Sequence, residues 1–222
     1  MFYLEPIRIQ FETHANPVYA AGAKAYMKNK SEFYGLGAPL RREIQKEFLQ
    51  QNGLPNPADL EELMEYCWDQ PQREWQYIGM EIINRFAAKG GENLLKMSEY
   101  MISHKSWWDT VDYIAPNIVG SVLKRKPELI PGWTEKWMSS DNLWLQRSCL
   151  IFQLKYREKT DAGLLFEFCE RLADHKDFFI RKAIGWSLRE YSKRNPEAVL
   201  EFVNSHKLSG LSYREATRRI NI

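Results

Sequence analysis

Two indoles, a carboxylate, a guanidinium and an ammonium recur in this chain at spacings that helices can bring onto one face. Trp108 and Asp112 stand four residues apart, as do Lys182 and Trp186, and residues at i and i+4 share a helix face. Arg147 lies 35 residues after Asp112 and 35 before Lys182, and Tyr77 lies 35 before Asp112. The four segments share a register: Trp75-Gln76-Tyr77-Ile78, Thr110-Val111-Asp112-Tyr113, Leu145-Gln146-Arg147-Ser148 and Ile180-Arg181-Lys182-Ala183. A period between ~20 and ~50 residues belongs to stacked helical repeats. Tyr77, Asp112, Arg147 and Lys182 are therefore expected to form a row along one surface, with the chemistry of a binding face. Taken singly, the tryptophans read as core residues and Asp112 with Arg147 as an inter-helix ion pair. The shared slot favours a site, because equivalent positions of a solenoid face a common surface.

The elements that must position these residues are helices. Asn16-Pro17 and Asn56-Pro57 each set a capping side chain before a proline at the first helical position. Pro39 and Pro71 read as further first-turn prolines, and Gly35-Leu36-Gly37 and Gly90-Gly91 as loops. Leu60, Leu63, Met64, Cys67 and Trp68 repeat with helical spacing, as do Ile78, Ile82, Ile83 and Phe86. Asp141 is expected to cap a helix carrying Trp144 to Tyr156, and Asp177 one carrying Phe179 to Tyr191. No alternation of period two is long enough for a strand. The expected fold is all-α: roughly a dozen helices, given a mean length of about 11–12 residues, in a curved solenoid of antiparallel pairs with a concave ligand face. No linker or low-complexity segment divides it, so residues 1–222 are read as one domain.

Bulk composition excludes several classes. With 44% hydrophobic and 27% charged residues the chain is ordinary globular material rather than disordered. No apolar run reaches the ~20 residues of a membrane span, and Met1-Phe2-Tyr3-Leu4-Glu5-Pro6 lacks the basic and apolar regions of a secretory signal. Cys67, Cys149 and Cys169 form neither an even framework nor a metal pair, so reduced, buried thiols in a cytoplasmic protein are expected. His14, His104, His175 and His206 show no metal spacing, and Trp68, Trp75, Trp133 and Trp137 read as core. The net charge of +2 argues for no polyanionic partner by itself, but a local row of cations could. Arg41-Arg42, Lys124-Arg125-Lys126, Arg181-Lys182 and the Arg214, Arg218, Arg219 group are candidate phosphate contacts.

Several segments resemble the AlkD family of DNA alkylation repair glycosylases: Ser106-Trp107-Trp108-Asp109-Thr110-Val111-Asp112, Asp141-Asn142-Leu143-Trp144-Leu145-Gln146-Arg147 and Ala183-Ile184-Gly185-Trp186-Ser187-Leu188-Arg189-Glu190-Tyr191. So do Tyr26-Met27-Lys28-Asn29, the turn from Gly35 through Pro39 to Arg41-Arg42, and Leu211-Ser212-Tyr213-Arg214-Glu215-Ala216. The resemblance implies HEAT-like repeats cradling duplex DNA on a basic concave face, and excision of cationic alkylated purines such as 7-methylguanine and 3-methyladenine. It assigns Asp112 as catalytic carboxylate, Trp108 and Trp186 as site tryptophans, Arg147 as site arginine and Tyr26 as an aromatic from an early helix. Lys182 joins them as a DNA contact from the row above. The implied enzyme needs no cofactor or metal, works as a monomer, touches no membrane and releases the base without cutting the strand, since no lysine is placed to attack the sugar. Arg147 suits a flanking phosphate or a bridge that orients Asp112. Two other readings fit a helical solenoid: a protein-interaction scaffold, and a lesion binder without catalysis.

Overall fold

In a computed structural model, residues 2–220 are described; Met1, Asn221 and Ile222, and with Met1 part of the reading of the first residues, lie outside them. Among the described residues are fourteen α-helices and no strand, apart from one isolated bridge between Glu32 and Gln72. The first seven are α1 (Glu5–Thr13), α2 (Pro17–Tyr26), α3 (Ala38–Asn52), α4 (Leu60–Asp69), α5 (Arg73–Asn84), α6 (Glu92–Ser103) and α7 (Trp108–Ile114). The rest are α8 (Gly120–Arg125), α9 (Ile130–Met138), α10 (Leu143–Ile151), α11 (Ala162–Arg171), α12 (Phe178–Ser192), α13 (Pro196–Ser205) and α14 (Gly210–Thr217). None of them is long and apolar enough to cross a membrane.

The 35-residue register is the architecture. Its four segments lie on α5, α7, α10 and α12, and these helices pack consecutively, α5 on α7, α7 on α10, α10 on α12, with α14 next in line. The preceding helix backs several of them: α4 lies on α5, α9 on α10, α11 on α12 and α13 on α14. Amphipathic spacing supplies the packing. In α4, Leu60, Leu63, Met64, Cys67 and Trp68 are all buried, each large side chain contributing about 1.5–3 kcal/mol by leaving water. Trp75, Trp133 and Trp137 join the same continuous core. The three thiols are free and buried, and burial pushes each of them above the usual cysteine range.

Local signals set most boundaries. The Asn16 side chain accepts from the Val18 and Tyr19 amides, and Asp177 accepts from the Phe179 amide at 2.6 Å. Pro39 falls in the first turn of α3. Pro71 does not start a helix: its carbonyl accepts the Glu32 amide and Arg73 donates to the Glu32 carbonyl, so the chain stays extended until Arg73. Asn142, rather than Asp141, caps α10, its amide oxygen accepting from Trp144 N at 2.9 Å. That helix ends at Ile151 and continues as a 3-10 turn through Lys155. Beyond α7 the helix widens into a π turn at Ala115–Val119, where Pro116 has no N–H to continue the α ladder.

Two close approaches hold the site's framework. The buried Glu74 carboxylate, in the first turn of α5, accepts the amides of Tyr34, Gly35 and Leu36 and so fixes the loop after α2. Gly35 stands there at φ +87, where a Cβ would lie 2.2 Å from the Asn16 carbonyl oxygen. Gly185 lets α12 and α14 touch, since its Cβ would fall 2.4 Å from that of Glu215 and 2.9 Å from the Ser212 carbonyl. Gly185→Ala is accordingly expected to destabilise the fold by about 1–3 kcal/mol through overpacking, measured as a lowered denaturation midpoint. An unchanged midpoint would mean that the two helices are free to separate.

Candidate active site

Residues far apart in sequence meet in one open cavity of about 450 Å³. Trp107 and Trp108 bring one aromatic wall from the start of α7, and Phe178 and Phe179 bring the other from the start of α12. Tyr26, 71% exposed at the end of α2, closes a third side, its ring edge-on to Trp108 at 6.2 Å between centroids. The polar lining consists of Asp112, Arg147, Lys182 and Lys28. Aromatic faces against a single carboxylate make a place for a cation.

Ion pairs link the stacked helices like rungs. Arg41 of α3 binds Glu81 of α5, Arg73 of α5 binds Asp109 of α7, Arg147 of α10 binds Asp112 of α7, and Lys182 of α12 binds Glu215 of α14. The two carboxylates of α7 differ sharply. Asp109 receives Arg73 through two nitrogens, at 2.7 and 2.9 Å, and the Tyr77 hydroxyl at 2.7 Å. It is consumed. Asp112 receives only Arg147, Nε to Oδ1 at 2.7 Å and Nη2 to Oδ2 at 2.8 Å, and its side chain keeps 19% exposure while lining the cavity. Each oxygen still has a lone pair to offer.

Arg147 is itself buried, 4% exposed, and its remaining edge donates from Nη1 to the Phe179 carbonyl. It is a strut between α7, α10 and α12, which is the second of the two roles expected of it, a bridge that orients Asp112. Burial raises the Asp112 pKa above the ordinary carboxylate value, while the Arg147 hydrogen bonds and charge pull the other way. Lys182 Nζ lies 2.9 Å from Glu215, a carboxyl held below its usual range first by that lysine and then by Arg189.

Lys28 has a different setting. It follows α2 in a Schellman turn: Asn29 N donates to Lys24 O and Lys28 N to Ala25 O. The residue in that left-handed slot is normally glycine, yet here Lys28 and Asn29 both have φ 57. A side chain there costs roughly 1 kcal/mol or more.

The profile of the DNA alkylation repair enzyme family matches residues 7–220. The chain belongs to that family. Among solved structures, a predicted DNA alkylation repair enzyme from Enterococcus faecalis is 32% identical, with a TM-score of 0.85 over 92% of this chain and 96% of that one. AlkD2 from Streptococcus mutans shares the fold at 16% identity, with a TM-score of 0.64 over 82% and 90%. The protein smu.31 from Streptococcus mutans UA159 does so at 16% identity, with a TM-score of 0.63 over 83% and 97%. No curated protein sequence matches the chain.

Within this alkylation repair chain the cavity gathers Tyr26, Trp108, Asp112, Arg147 and Lys182, all expected from sequence. Trp186 is half-buried one turn beyond Lys182 and is not among the residues lining the cavity. Tyr77 of the repeating row binds Asp109 instead. Missing from the sequence reading were Trp107, Phe178, Phe179 and Lys28. The spacing of Phe178 and Lys182, four apart on one helix, was a usable signal for the first phenylalanine. In the sequence Lys28 figures only within the Tyr26-Met27-Lys28-Asn29 segment; like Lys182, which was expected, it lines the cavity.

Proposed function

We propose that the chain is a DNA glycosylase that hydrolyses the N-glycosidic bond of cationic alkylated purines in duplex DNA, leaving an abasic site without cutting the strand. The observation that carries this is Asp112: a carboxylate steadied by a bidentate guanidinium, partly exposed, and the one acidic group in the lining of an aromatic cavity. Alkylation of a ring nitrogen makes the purine a good leaving group already. What remains is to stabilise the oxocarbenium-like sugar and supply water. Ionised Asp112 faces the developing positive charge and can orient the water through a free lone pair. The faces of Trp108, Phe178 and Tyr26 favour a cationic guest and limit access of bulk solvent to the carboxylate. Arg147 keeps Asp112 charged and aimed. Trp186 extends the aromatic surface of α12 beyond Lys182.

The duplex would be tracked by cations left free by the ion-pair rungs. Arg42, Lys46 and Arg85 line a second cavity of about 430 Å³ beside Asn84 and Tyr113, and Lys124 and Lys155 line the next, of about 320 Å³. Arg41 and Arg125 are engaged within the fold, by Glu81 and by the Ala87 and Gly90 carbonyls. Arg42, Lys46, Arg85, Lys124 and Lys155 therefore replace Arg147 as the residues whose loss lessens the salt dependence of binding.

The test is direct. Incubated with methylated duplex DNA, the protein is expected to release free 7-methylguanine or 3-methyladenine and to leave alkali-sensitive abasic sites in an intact strand. Uncharged lesions, whose bases need protonation to leave, should react slowly because no general acid stands beside Asp112 in the lining. Release of no base, with binding to alkylated DNA retained, would make the chain a lesion binder. Release of uncharged bases at the same rate would remove the proposed chemistry.

A further inference from the structure

We propose that Lys28 is a phosphate clamp of the cavity, its ammonium neutralising the backbone phosphate that flanks the nucleotide whose sugar faces Asp112. This rests on the reading that duplex DNA enters the cavity. Three cations line the wall, and two are already answered: Arg147 by Asp112 and the Phe179 carbonyl, Lys182 by Glu215. Lys28 is exposed and in no ion pair among the described residues, although its neighbour Lys24 is bound to Glu32.

Its placement is bought with strain. Lys28 sits at the left-handed position of a Schellman turn, with the next residue also at φ 57, between the buried anchor Met27 and the loop pinned by Glu74. Glycine would close the same turn without a side-chain penalty. The lysine's gain must come from what its side chain meets. Of the groups in a DNA backbone only phosphate is anionic; the alkylated base and the transition-state sugar are cationic and would be opposed by an unanswered ammonium so near. A phosphate on Lys28 removes that opposition and sets the register of the sugar over Asp112, as phosphate contacts do for protein–DNA complexes generally.

The probe is a duplex carrying a tetrahydrofuran abasic analogue, which cannot react, compared with the same duplex bearing one neutral methylphosphonate at each flanking position in turn. Lys28→Gly should melt about 2–4 °C higher than the wild type, bind about tenfold more weakly at low salt, and lower the log–log salt slope by about 0.9. Lys28→Arg should keep the slope. One methylphosphonate should weaken the wild type and leave Lys28→Gly unaffected. An unchanged slope or additive losses at every flanking position would overturn the clamp. So would a protein–DNA adduct that depends on Lys28 and is trapped by borohydride on a second duplex carrying a natural, aldehyde-bearing abasic site, since it would make the lysine a covalent participant. No duplex binding by the wild type would remove the clamp together with the DNA reading. Binding with these effects but without base release would remove only the glycosylase reading.

Discussion

Asp112→Asn is expected to release methylated purine at least about a hundredfold more slowly than the wild type, the scale on which one pre-placed electrostatic group contributes to a transition state. The substitution keeps the shape of the side chain and deletes the charge opposite the oxocarbenium ion. Affinity for the uncleavable abasic duplex should survive, because phosphate contacts carry most of it. Asp109→Asn is the matched control. Asp109 is shut in by Arg73 and Tyr77, so its loss should lower the denaturation midpoint while single-turnover base release by the remaining folded protein stays near wild type. If Asp112→Asn releases base as fast as the wild type, the fold stands and the assignment of the chemistry does not.

Arg147→Ala should have the second-largest effect, and its signature is in the pH dependence. Two opposing influences act on Asp112 in the wild type: burial raises its pKa, and Arg147 lowers it. The net shift is upward, so the acid limb of base release should lie above the ordinary range of an aspartate carboxyl. Without Arg147 burial and the neighbouring charge of Asp109 remain, and both act upward. The limb should move to still higher pH, slowing the reaction about tenfold or more at neutrality and recovering part of the loss as pH rises. Stability moves in the opposite sense. A carboxyl whose folded pKa is raised favours the fold when protonated, and that contribution disappears as pH rises through the folded pKa. The Arg147→Ala midpoint should therefore fall furthest at high pH and least in mild acid. Near neutrality the loss should be toward the lower end of about 3–5 kcal/mol, the cost of stranding one partner of a buried pair, because Asp112 keeps some contact with solvent. Parallel pH–rate profiles and pH-resolved thermal melts check both signs. Identical limbs for the two proteins would show that Arg147 does not tune Asp112.

From the sequence alone the helical class, the 35-residue stacking and the family were all legible, because each is written in short-range patterns. Residues three and four apart declare a helix face. A repeated register declares that the faces stack, and Tyr77, Asp112, Arg147 and Lys182 do fall on consecutively packed helices. The capping error at Asp141 and the misread Pro71 are of the same local kind: adjacent residues compete for a cap or a turn, and the winner depends on what the neighbouring segment donates, here the Glu32 strand-like contact.

Only the tertiary structure decided what the row does. Asp109 and Asp112 are both acidic residues near the start of one helix, and nothing within a turn of either says which will be saturated. That depends on the rotation of α7 between α5 and α10, which gives Asp109 to Arg73 and Tyr77 and leaves Asp112 a single partner and an opening. The same packing makes Arg147 a strut, its free edge donating to the Phe179 carbonyl. It carries Lys28 and Tyr26, more than eighty residues upstream of Asp112, to the cavity's rim. Helical periodicity is a property of the backbone ladder and so shows in sequence. Which charge meets which depends on axial shifts of a few ångströms between helices, set by the shapes of all the side chains packed between them.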